Sequence, residues 1–234
     1  MLEVRELSAG YAGVQVLWDV ELDVGDQEIV ALVGSNGAGK TTLLRAISAL
    51  LHPLAGSVRW RGRETVGMRP EHVVRLGIAH VPKGRRLFAG LTVRENLEMG
   101  AYQRRDARVR EDIEWVLELF PHLRQHLERI AGRLSGGEQQ MCAIARGLMS
   151  LPKLLMIDEL SLGLAPNLVE SLLARLSQIV QRGTSVLLVE QDVDAALTIA
   201  TSGYVLETGR IVAHGPGKQL RADPRIREAY LGVA

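Results

Sequence analysis

Short apolar runs alternate with longer amphipathic stretches along the chain. Runs rich in β-branched residues predict early strands at Leu2–Leu7, Val16–Val24 and Glu28–Val33, and later runs predict strands at Lys153–Asp158 and Ser185–Glu190. The continuous apolar character of the two later runs is typical of strands covered on both faces of a parallel sheet. The pattern therefore predicts an α/β fold with a mainly parallel sheet.

The middle third of the chain has helical periodicity. Between about Asp106 and Met149, apolar positions recur at the spacing of an amphipathic helix, which predicts a helical subdomain. We expect a single domain over residues 1–234, with a core formed by residues 1–85 and 150–234 and the helical subdomain at about 86–149. One face of its DARVREDIEWVLELF helix carries Val109, Ile113, Val116, Leu117 and Phe120.

Other elements are predicted around and after the apolar strands. Helices are expected through Lys40–Leu50, at Asn167–Arg182 and near Asp192–Thr201, and YVLETGRIV predicts a hairpin that turns at Thr208–Gly209. The buried face of the Asn167–Arg182 helix is predicted to contain Leu168, Ser171, Leu172, Leu176 and Ile179.

Composition narrows the class of protein. The 234 residues are 47% hydrophobic and 24% charged, which excludes disorder as the main state. Lys and Arg number 28 against 27 Asp and Glu, so the overall charge field of a dedicated nucleic-acid binder is missing. No apolar run reaches membrane-spanning length and Glu3 interrupts any leader pattern, so we expect a cytoplasmic chain. The single cysteine, Cys142, fits a core position on a helix.

A glycine-rich segment between a predicted strand and a predicted helix is the strongest local motif. It fits G-x-x-x-x-G-K-[ST], in which backbone N–H groups turn inward around phosphate oxygens and glycine permits the close approach. Lys40 is predicted to contact the β and γ phosphates and Thr41 to ligate Mg²⁺, at a helix start that favours anions. The predicted nucleotide-binding residues here are Gly34, Ser35, Asn36, Gly37, Ala38, Gly39, Lys40, Thr41 and Thr42.

A second motif, LLMIDE, ends an apolar strand in two carboxylates. Parallel α/β sheets bind their ligands at the carboxyl ends of strands. Asp158 is predicted to hold Mg²⁺, directly or through water, and Glu159 to act as the general base that polarises the attacking water. Taken alone the pair also fits a solvated acidic turn, but the upstream phosphate loop favours a site.

The segment Leu134–Gln140, LSGGEQQ, resembles the signature sequence of ABC-transporter ATPases. In that family the signature of one subunit contacts the γ-phosphate held by the other. Ser135 can donate its hydroxyl, and Gly136 and Gly137 allow backbone N–H groups to approach at a helix start. Ser135 and Glu138 also have capping-box spacing, so the segment is predicted to cap a helix as well.

The resemblance covers essentially the whole chain. It implies a P-loop NTPase core with a mainly parallel sheet, an antiparallel β portion near the N-terminus and an inserted α-helical subdomain, with ATP and Mg²⁺ as cofactors. Tyr11 is similar to the aromatic residue that stacks on adenine, and Ser161–Pro166 is similar to the loop that crosses the dimer interface. A packing tyrosine and a surface turn are the alternatives for these two features.

Three positions depart from the wider family pattern. Lys83 stands where most members have a glutamine that touches Mg²⁺, and a lysine cannot ligate a cation. A phosphate, an acidic patch on the membrane partner and solvent are all open as its contact. Gln191 replaces a histidine and is expected to contact the γ-phosphate as a catalytic residue, together with Lys40 and Glu159. Leu160 replaces a proline and removes no chemical group.

Four stretches resemble the second ATP-binding subunit of bacterial high-affinity branched-chain amino acid importers. These are VPKGRRLFAGLTVRENLEMGAY, IDELSLGLAP, LLVEQDVDAAL and the ending DPRIREAYLG. The resemblance implies an ATPase at the cytoplasmic face of the inner membrane, paired with a second ATP-binding subunit as homodimer or heterodimer. Transmembrane permease subunits would be direct partners, and a periplasmic binding protein an indirect one. Importers of urea or short amides share these segments and remain an alternative.

Two functions of another kind are also compatible with parts of the sequence. A soluble ABC ATPase acting on nucleic acid or ribosomes would use basic pieces such as Arg59–Arg63 and Arg104–Arg105, but the three arginines of the first alternate along a predicted strand as a solvated face would. No nucleic-acid partner is therefore expected. A nucleotide-gated adaptor without hydrolysis gains some support from Lys83 and Leu160.

Overall fold

Ten strands form two sheets in the computed structural model, which describes residues 1–231. The smaller sheet is antiparallel, with strand order β2-β1-β4-β5. It confirms the antiparallel portion expected near the N-terminus. Its strands are β1 (Leu2–Tyr11), β2 (Val14–Val24), β4 (Ala55–Trp60) and β5 (Arg63–Glu64).

The larger sheet has six strands in the order β10-β9-β3-β8-β7-β6. All neighbours pair in parallel except β10, which forms a hairpin with β9. The register places Val33 opposite Glu190 and Asp158 opposite Val189, so β3, β7 and β8 end at one edge. The strands are β3 (Ile29–Val33), β6 (Ile78–Val81), β7 (Leu154–Asp158), β8 (Ser185–Glu190), β9 (Ser202–Glu207) and β10 (Arg210–Pro216).

Helices connect the parallel strands and form most of the middle of the chain. A 3₁₀ turn at Ala131–Arg133 and a π turn at Arg227–Leu231 accompany them. The helices are α1 (Lys40–Ile47), α2 (Pro70–Arg75), α3 (Val93–Gly100), α4 (Val109–Leu119), α5 (Pro121–Arg124), α6 (Gly136–Leu148), α7 (Pro166–Gln181), α8 (Val193–Ile199), α9 (Gly217–Ala222) and α10 (Pro224–Ile226).

The strands of the larger sheet bury both faces. Because side chains alternate along a strand, Ala31 and Val33 of β3 join one apolar cluster while Val30 and Leu32 join another. The first cluster continues into the helices of the middle third, and the second continues into α1 and the smaller sheet. The central strands are thus held from both sides, which fixes the position of the edge where they end.

Most of the predicted elements are confirmed, with small shifts at their ends. The Ser185–Glu190 strand has the predicted limits, and the hairpin turns at Thr208 and Gly209, which have φ values of 47° and 79°. The apolar face predicted for α4 is buried apart from the partly buried Val109. Cys142 is fully buried on α6, as expected, and burial raises the pKa of its thiol to about 12.

Three predictions of local structure were wrong. Ser171 is exposed on α7, where Leu173 is buried instead. The helix through Lys40 stops at Ile47 instead of Leu50, because Ser48 donates its side-chain hydroxyl to the Leu44 carbonyl and Ala49 takes a left-handed backbone with φ 57°.

The arginines at 59, 61 and 63 do not alternate along one strand. The chain turns at Arg61 and Gly62, both with positive φ, and separates β4 from β5. Arg104, offered as part of a basic surface, is buried and pairs with Asp106 and Asp112 at 2.7 Å and 2.6 Å. These contacts remove support from a nucleic-acid interface.

Two expectations reach beyond what the structure describes. The proposed domain of residues 1–234 and the ending DPRIREAYLG include Gly232, and residues 232–234 lie outside the described range. The division at about residues 86 and 149 stays a prediction. Among residues 1–231, no helix is long and apolar enough to cross a membrane.

Partly buried His80 makes the fold sensitive to acid. Its Nδ1 lies 3.2 Å from the Ser48 hydroxyl oxygen, and burial lowers its pKa from 6.5 to about 4. Between those values the unfolded chain binds a proton that the folded chain excludes. Its contribution is complete above pH 6.5, and we predict that stability falls by up to about 3 kcal/mol as the pH drops toward 4.

Urea unfolding of the wild type and His80→Gln between pH 7.5 and 4 checks this prediction. The neutral glutamine binds no proton, so the free energies of unfolding of the two proteins should converge or cross as the pH falls. A difference that stays constant over this range would contradict the assignment. His52→Gln, at an exposed position, removes a histidine without touching the buried ring and serves as the control.

Candidate functional site

The phosphate loop lies between β3 and α1, at the edge where the central strands end. Gly39 has φ 111° and caps the N-terminus of α1, a backbone conformation that side chains rarely adopt. A Cβ at Gly39 would also lie 2.6 Å from Leu17. Both the backbone conformation and the contact with Leu17 therefore favour glycine here, at the N-terminus of a helix, which favours anions.

Lys40 lies within the loop. Its side-chain Nζ donates hydrogen bonds to the carbonyl oxygens of Gly34 at 2.7 Å and Ser35 at 2.9 Å. Burial lowers the pKa of Lys40, while the charges of Glu159 and Asp158 act in the opposite direction. The ammonium is thus held against the loop carbonyls and close to two carboxylates.

Asp158 joins the end of β7 to the phosphate loop. The Thr41 hydroxyl donates to its Oδ2 at 2.8 Å, and its Oδ1 is buried with no hydrogen-bond partner. Burial raises the pKa of Asp158, and the bond from Thr41 opposes that rise. A buried carboxylate oxygen without a partner, beside a hydroxyl, suits a hard divalent cation.

No cluster of three or more His, Cys, Asp or Glu side chains that could hold a metal occurs in residues 1–231. Mg²⁺ at nucleotide sites takes one or two protein ligands and completes its shell with phosphate oxygens and water. The pair Thr41 and Asp158 therefore fits Mg²⁺ held together with a nucleotide, and does not fit a metal bound by protein alone.

Glu159 follows directly and is nearly buried, with 6% of its side chain exposed. Its backbone is left-handed, with φ 51°, and its N–H donates to the Val189 carbonyl of β8 at 2.9 Å. Its Oε2 pairs with Lys83 Nζ at 2.7 Å. Leu160, which replaces the family's proline, is fully buried in the core, so packing holds this turn.

Most of these side chains line one cavity of about 300 Å³, and Asp158 is linked to it by its bond from Thr41. Its walls come from the phosphate loop, α1, β2, the loop after β6 and the end of β7. The structure thus brings Lys40, Thr41 and Glu159 together around one cavity, and adds Lys83. The lining residues are Val16, Asn36, Gly37, Gly39, Lys40, Thr41, Thr42, Lys83 and Glu159.

Other predicted site residues lie outside these walls. Tyr11 is exposed at the end of β1, where its hydroxyl accepts a hydrogen bond from Arg45 of α1 at 3.3 Å. Gln191 is exposed just after β8, and its backbone N–H donates to Glu190 at 3.2 Å. Stacking of Tyr11 on adenine and contact of Gln191 with the γ-phosphate stay predictions.

The signature segment caps α6. Ser135 and Glu138 form the predicted capping box, in which each side chain accepts from the other residue's backbone N–H. A Cβ at Gly137 would lie 2.1 Å from the end of the Leu168 side chain, so a larger residue there would displace Leu168. Ser135 is exposed and Gly136 partly so, and none of the three lines the phosphate cavity.

Glu190 is a site residue that the sequence reading missed. It is 2% exposed at the end of β8 and accepts hydrogen bonds from Ser161 N at 2.8 Å and Ser161 Oγ at 2.6 Å. Burial raises the pKa of Glu190, and the bonds from Ser161 oppose that rise. A glutamate closing a fully apolar strand was the available signal, because such a carboxylate needs donors nearby.

Arg85 is a second residue that was missed. Its guanidinium donates to the Gln139 side chain at 3.2 Å and to the Leu162 carbonyl at 3.4 Å. The loop it belongs to has left-handed backbone at Gly84, Arg85 and Arg86. Arg85 therefore ties the loop after β6 to both the signature segment and the Ser161–Pro166 loop.

We predict that Glu190→Gln loosens the Ser161–Pro166 loop. The amide keeps one acceptor oxygen and places an NH₂ group against a donor, a change worth about 1–2 kcal/mol at a buried bond. Hydrogen exchange at the Ser161 amide should then speed up about tenfold. Exchange at the wild-type rate would show that Glu190 does not anchor the loop. Glu170→Gln, an exposed position on α7, is the matched control.

The sequence is similar to known ATP-binding proteins of ABC transporters. The sequence model of the family described as "ABC transporter" matches residues 17–161. The chain is 47% identical over 232 residues to the high-affinity branched-chain amino acid transport ATP-binding protein BraG of Pseudomonas aeruginosa, covering 99% of this chain and 100% of that protein. It is 37% identical to the probable branched-chain amino acid transport ATP-binding protein LivF of Archaeoglobus fulgidus, covering 100% and 99%.

The fold matches a solved cassette equally well. The ADP conformation of MJ1267, an ATP-binding cassette of an ABC transporter, aligns with a TM-score of 0.87 at 25% identity and covers 100% of this chain and 99% of that one. The α/β architecture predicted from the sequence is confirmed by this likeness. The chain belongs to the ABC transporter family, as one of its ATP-binding, ATP-hydrolysing subunits.

Proposed function

We propose that the chain hydrolyses ATP at the cavity between the phosphate loop and β7, and thereby drives an importer of branched-chain amino acids. The observation that carries the ATPase site is the convergence of Lys40, Thr41, Asp158 and Glu159 at one edge of the parallel sheet. That edge is where α/β folds bind their ligands.

The phosphate loop and α1 would hold the triphosphate. Backbone N–H groups of residues 34–42 and the positive end of α1 meet the phosphate oxygens, and Lys40 exchanges its two carbonyl partners for the β and γ phosphates. Thr41 and Asp158 would hold Mg²⁺, which neutralises charge on the phosphates. The cavity has a volume of about 300 Å³ and would hold the phosphates. The adenine ring would lie outside it, on the side where Tyr11 is predicted to stack.

Glu159 is the carboxylate placed to act as general base. It lines the same cavity as Lys40, and its left-handed backbone and its bond to Val189 fix its position. A carboxylate there would accept a proton from water attacking the terminal phosphate. Gln191 is proposed to donate to that phosphate from the end of β8.

A second ATP-binding subunit would complete the site. The signature residues Ser135, Gly136 and Gly137 do not line the phosphate cavity of their own chain. The start of α6 therefore remains available to an anion held by another subunit, whether a second copy or a sister chain. Ser161–Pro166 would lie at the same interface.

A groove beside the loop after β6 is the proposed contact with the permease subunits. It has a volume of about 430 Å³ and is bordered by the exposed apolar side chains of Phe88, Met99 and Tyr102, with Arg86 and Arg146 beside them. An amphipathic permease segment carrying an acidic group would match this chemistry. The chain would then sit peripherally at the cytoplasmic face of the membrane and move the 86–149 segment against the core.

Branched-chain amino acids are proposed as the transported class from the relatives. Two relatives that align over nearly the whole chain are named as branched-chain amino acid transport ATP-binding proteins. The residues of the cavity would touch nucleotide only, so permeases and a binding protein would select the cargo.

We predict that Glu159→Gln binds ATP but loses turnover by at least about 100-fold, because it removes the general base and leaves the phosphate contacts intact. Hydrolysis with Mg²⁺ at several protein concentrations is the measurement. In the wild type, the rate per subunit should rise with concentration, since each site needs two chains.

Lys40→Ala and Glu170→Gln are the two control variants of this experiment. Lys40→Ala should lose ATP binding as well as turnover, whereas the exposed Glu170 should be replaceable without effect. Wild-type turnover in Glu159→Gln would exclude it as the base. Binding without any wild-type hydrolysis would favour an adaptor, or a chain that needs its sister subunit.

We also predict that a strain lacking this chain loses high-affinity leucine uptake. Wild-type protein should restore uptake of radiolabelled leucine, and Glu159→Gln should not, because transport would depend on ATP turnover. Glu170→Gln should restore it. Unchanged leucine uptake in the deletion strain, with loss of urea or acetamide uptake, would transfer the proposal to that class of importer.

A further inference from the structure

A second lysine reaches the phosphate cavity from the loop after β6, where the sequence left its contact open. Lys83 follows β6 and lines the cavity together with Lys40 and Glu159. Its Nζ lies 2.7 Å from Glu159 Oε2. The lysine side chain is 43% exposed and the glutamate side chain 6%, so the ion pair joins an exposed, flexible partner to a buried, fixed one.

This ion pair occupies one of the two oxygens of the proposed general base. An ammonium has three donors and no acceptor, so at 2.7 Å it competes directly with water for Glu159 Oε2. A general base acts only when it is within hydrogen-bond reach of the proton that it removes. While Lys83 stays on Glu159, the carboxylate is therefore a weaker acceptor for a proton from the attacking water.

The two lysines of the cavity are held in different ways. Lys40 donates to two loop carbonyls and is buried, whereas Lys83 is bound to a carboxylate through a single contact. The charge of Lys83 also lies close enough to Lys40 to disfavour its protonated form. Lys40 and Lys83 therefore both line one small cavity, and a polyanion bound there would interact with both ammonium groups.

Position decides which phosphate Lys83 would meet. In a loop of this kind the backbone N–H groups hold the α and β phosphates, and the catalytic carboxylate faces the terminal one. Lys83 sits on that carboxylate. A phosphate bearing two charges and three acceptor oxygens would compete strongly with Glu159 for the ammonium.

We propose that Lys83 is a phosphate-binding residue that leaves Glu159 for the terminal phosphate of ATP. The proposal rests on the ATP site described above. When a triphosphate binds, the movement of Lys83 frees Glu159 to act as general base and gives the γ-phosphate a contact with a cation. ADP has no γ-phosphate, so Lys83 stays on Glu159 in the ADP state. The residue that replaced a metal-contacting glutamine thus makes the site selective for ATP over ADP.

The test compares two nucleotides in the absence of turnover. Affinities of wild type and Lys83→Met for AMP-PNP and for ADP, both with Mg²⁺, are measured by calorimetry. We expect Lys83→Met to weaken AMP-PNP binding roughly five- to tenfold, as loss of a charge-assisted contact does, and to change ADP binding by less than about twofold. A merely structural ion pair would shift both affinities together.

Lys218→Met, an exposed position on α9, is the matched control and should leave both affinities unchanged. Lys83→Gln, which keeps a donor but carries no charge, provides the same comparison if the methionine variant unfolds. Equal changes for the two nucleotides, or none, overturn the proposal and leave the ATP site standing. Failure of the wild type to bind AMP-PNP overturns both.

Discussion

Three carboxylates are buried at the edge where the central parallel strands end, and the arrangement around them follows from that burial. Asp158 and Glu190 have raised pKa values because the fold removes them from water, and Glu159 is almost as enclosed. A buried charge requires partners. Thr41 supplies one for Asp158, Ser161 two for Glu190, and Lys83 one for Glu159. The remaining buried oxygen, Oδ1 of Asp158, has no hydrogen-bond partner and belongs to the carboxylate proposed to hold Mg²⁺.

The loop after β6 connects that edge to the rest of the molecule. It sends Lys83 to the base and Arg85 to the signature segment and the Ser161–Pro166 loop, while Arg146 of α6 donates to the Arg86 carbonyl at 2.8 Å. The proposed permease groove opens beside the same loop. Arg86 belongs to that loop and lines the groove together with Arg146. A change at the terminal phosphate that moves Lys83 would therefore be felt at the signature and at the groove without a longer path.

The sequence predicted the parts of the site that depend on local pattern. The apolar run and carboxylates ending at Glu159 and the glycine-rich loop before α1 carry their chemistry within a few residues. Long-range partners were not readable in this way. The pairing of Lys83 with Glu159 spans 76 positions (159 − 83) and that of Glu190 with Ser161 spans 29, and both depend on strand register, which periodicity alone does not supply. The prediction that Ser171 is buried was wrong for a related reason. Helical periodicity assigned its face, but burial depends on the elements that pack against the helix.

The two members of the Lys83–Glu159 pair differ in freedom, and this decides which of them moves. Glu159 has a left-handed backbone, which costs energy unless its surroundings hold it. Its backbone bond to Val189 and the buried Leu160 beside it provide that support. Lys83 lies on a loop with a half-exposed side chain and four rotatable bonds. Displacing the glutamate would disturb the core, whereas displacing the lysine exchanges one anion for another. Control of hydrolysis at this site is therefore assigned to the cation, and the base stays where the sheet places it.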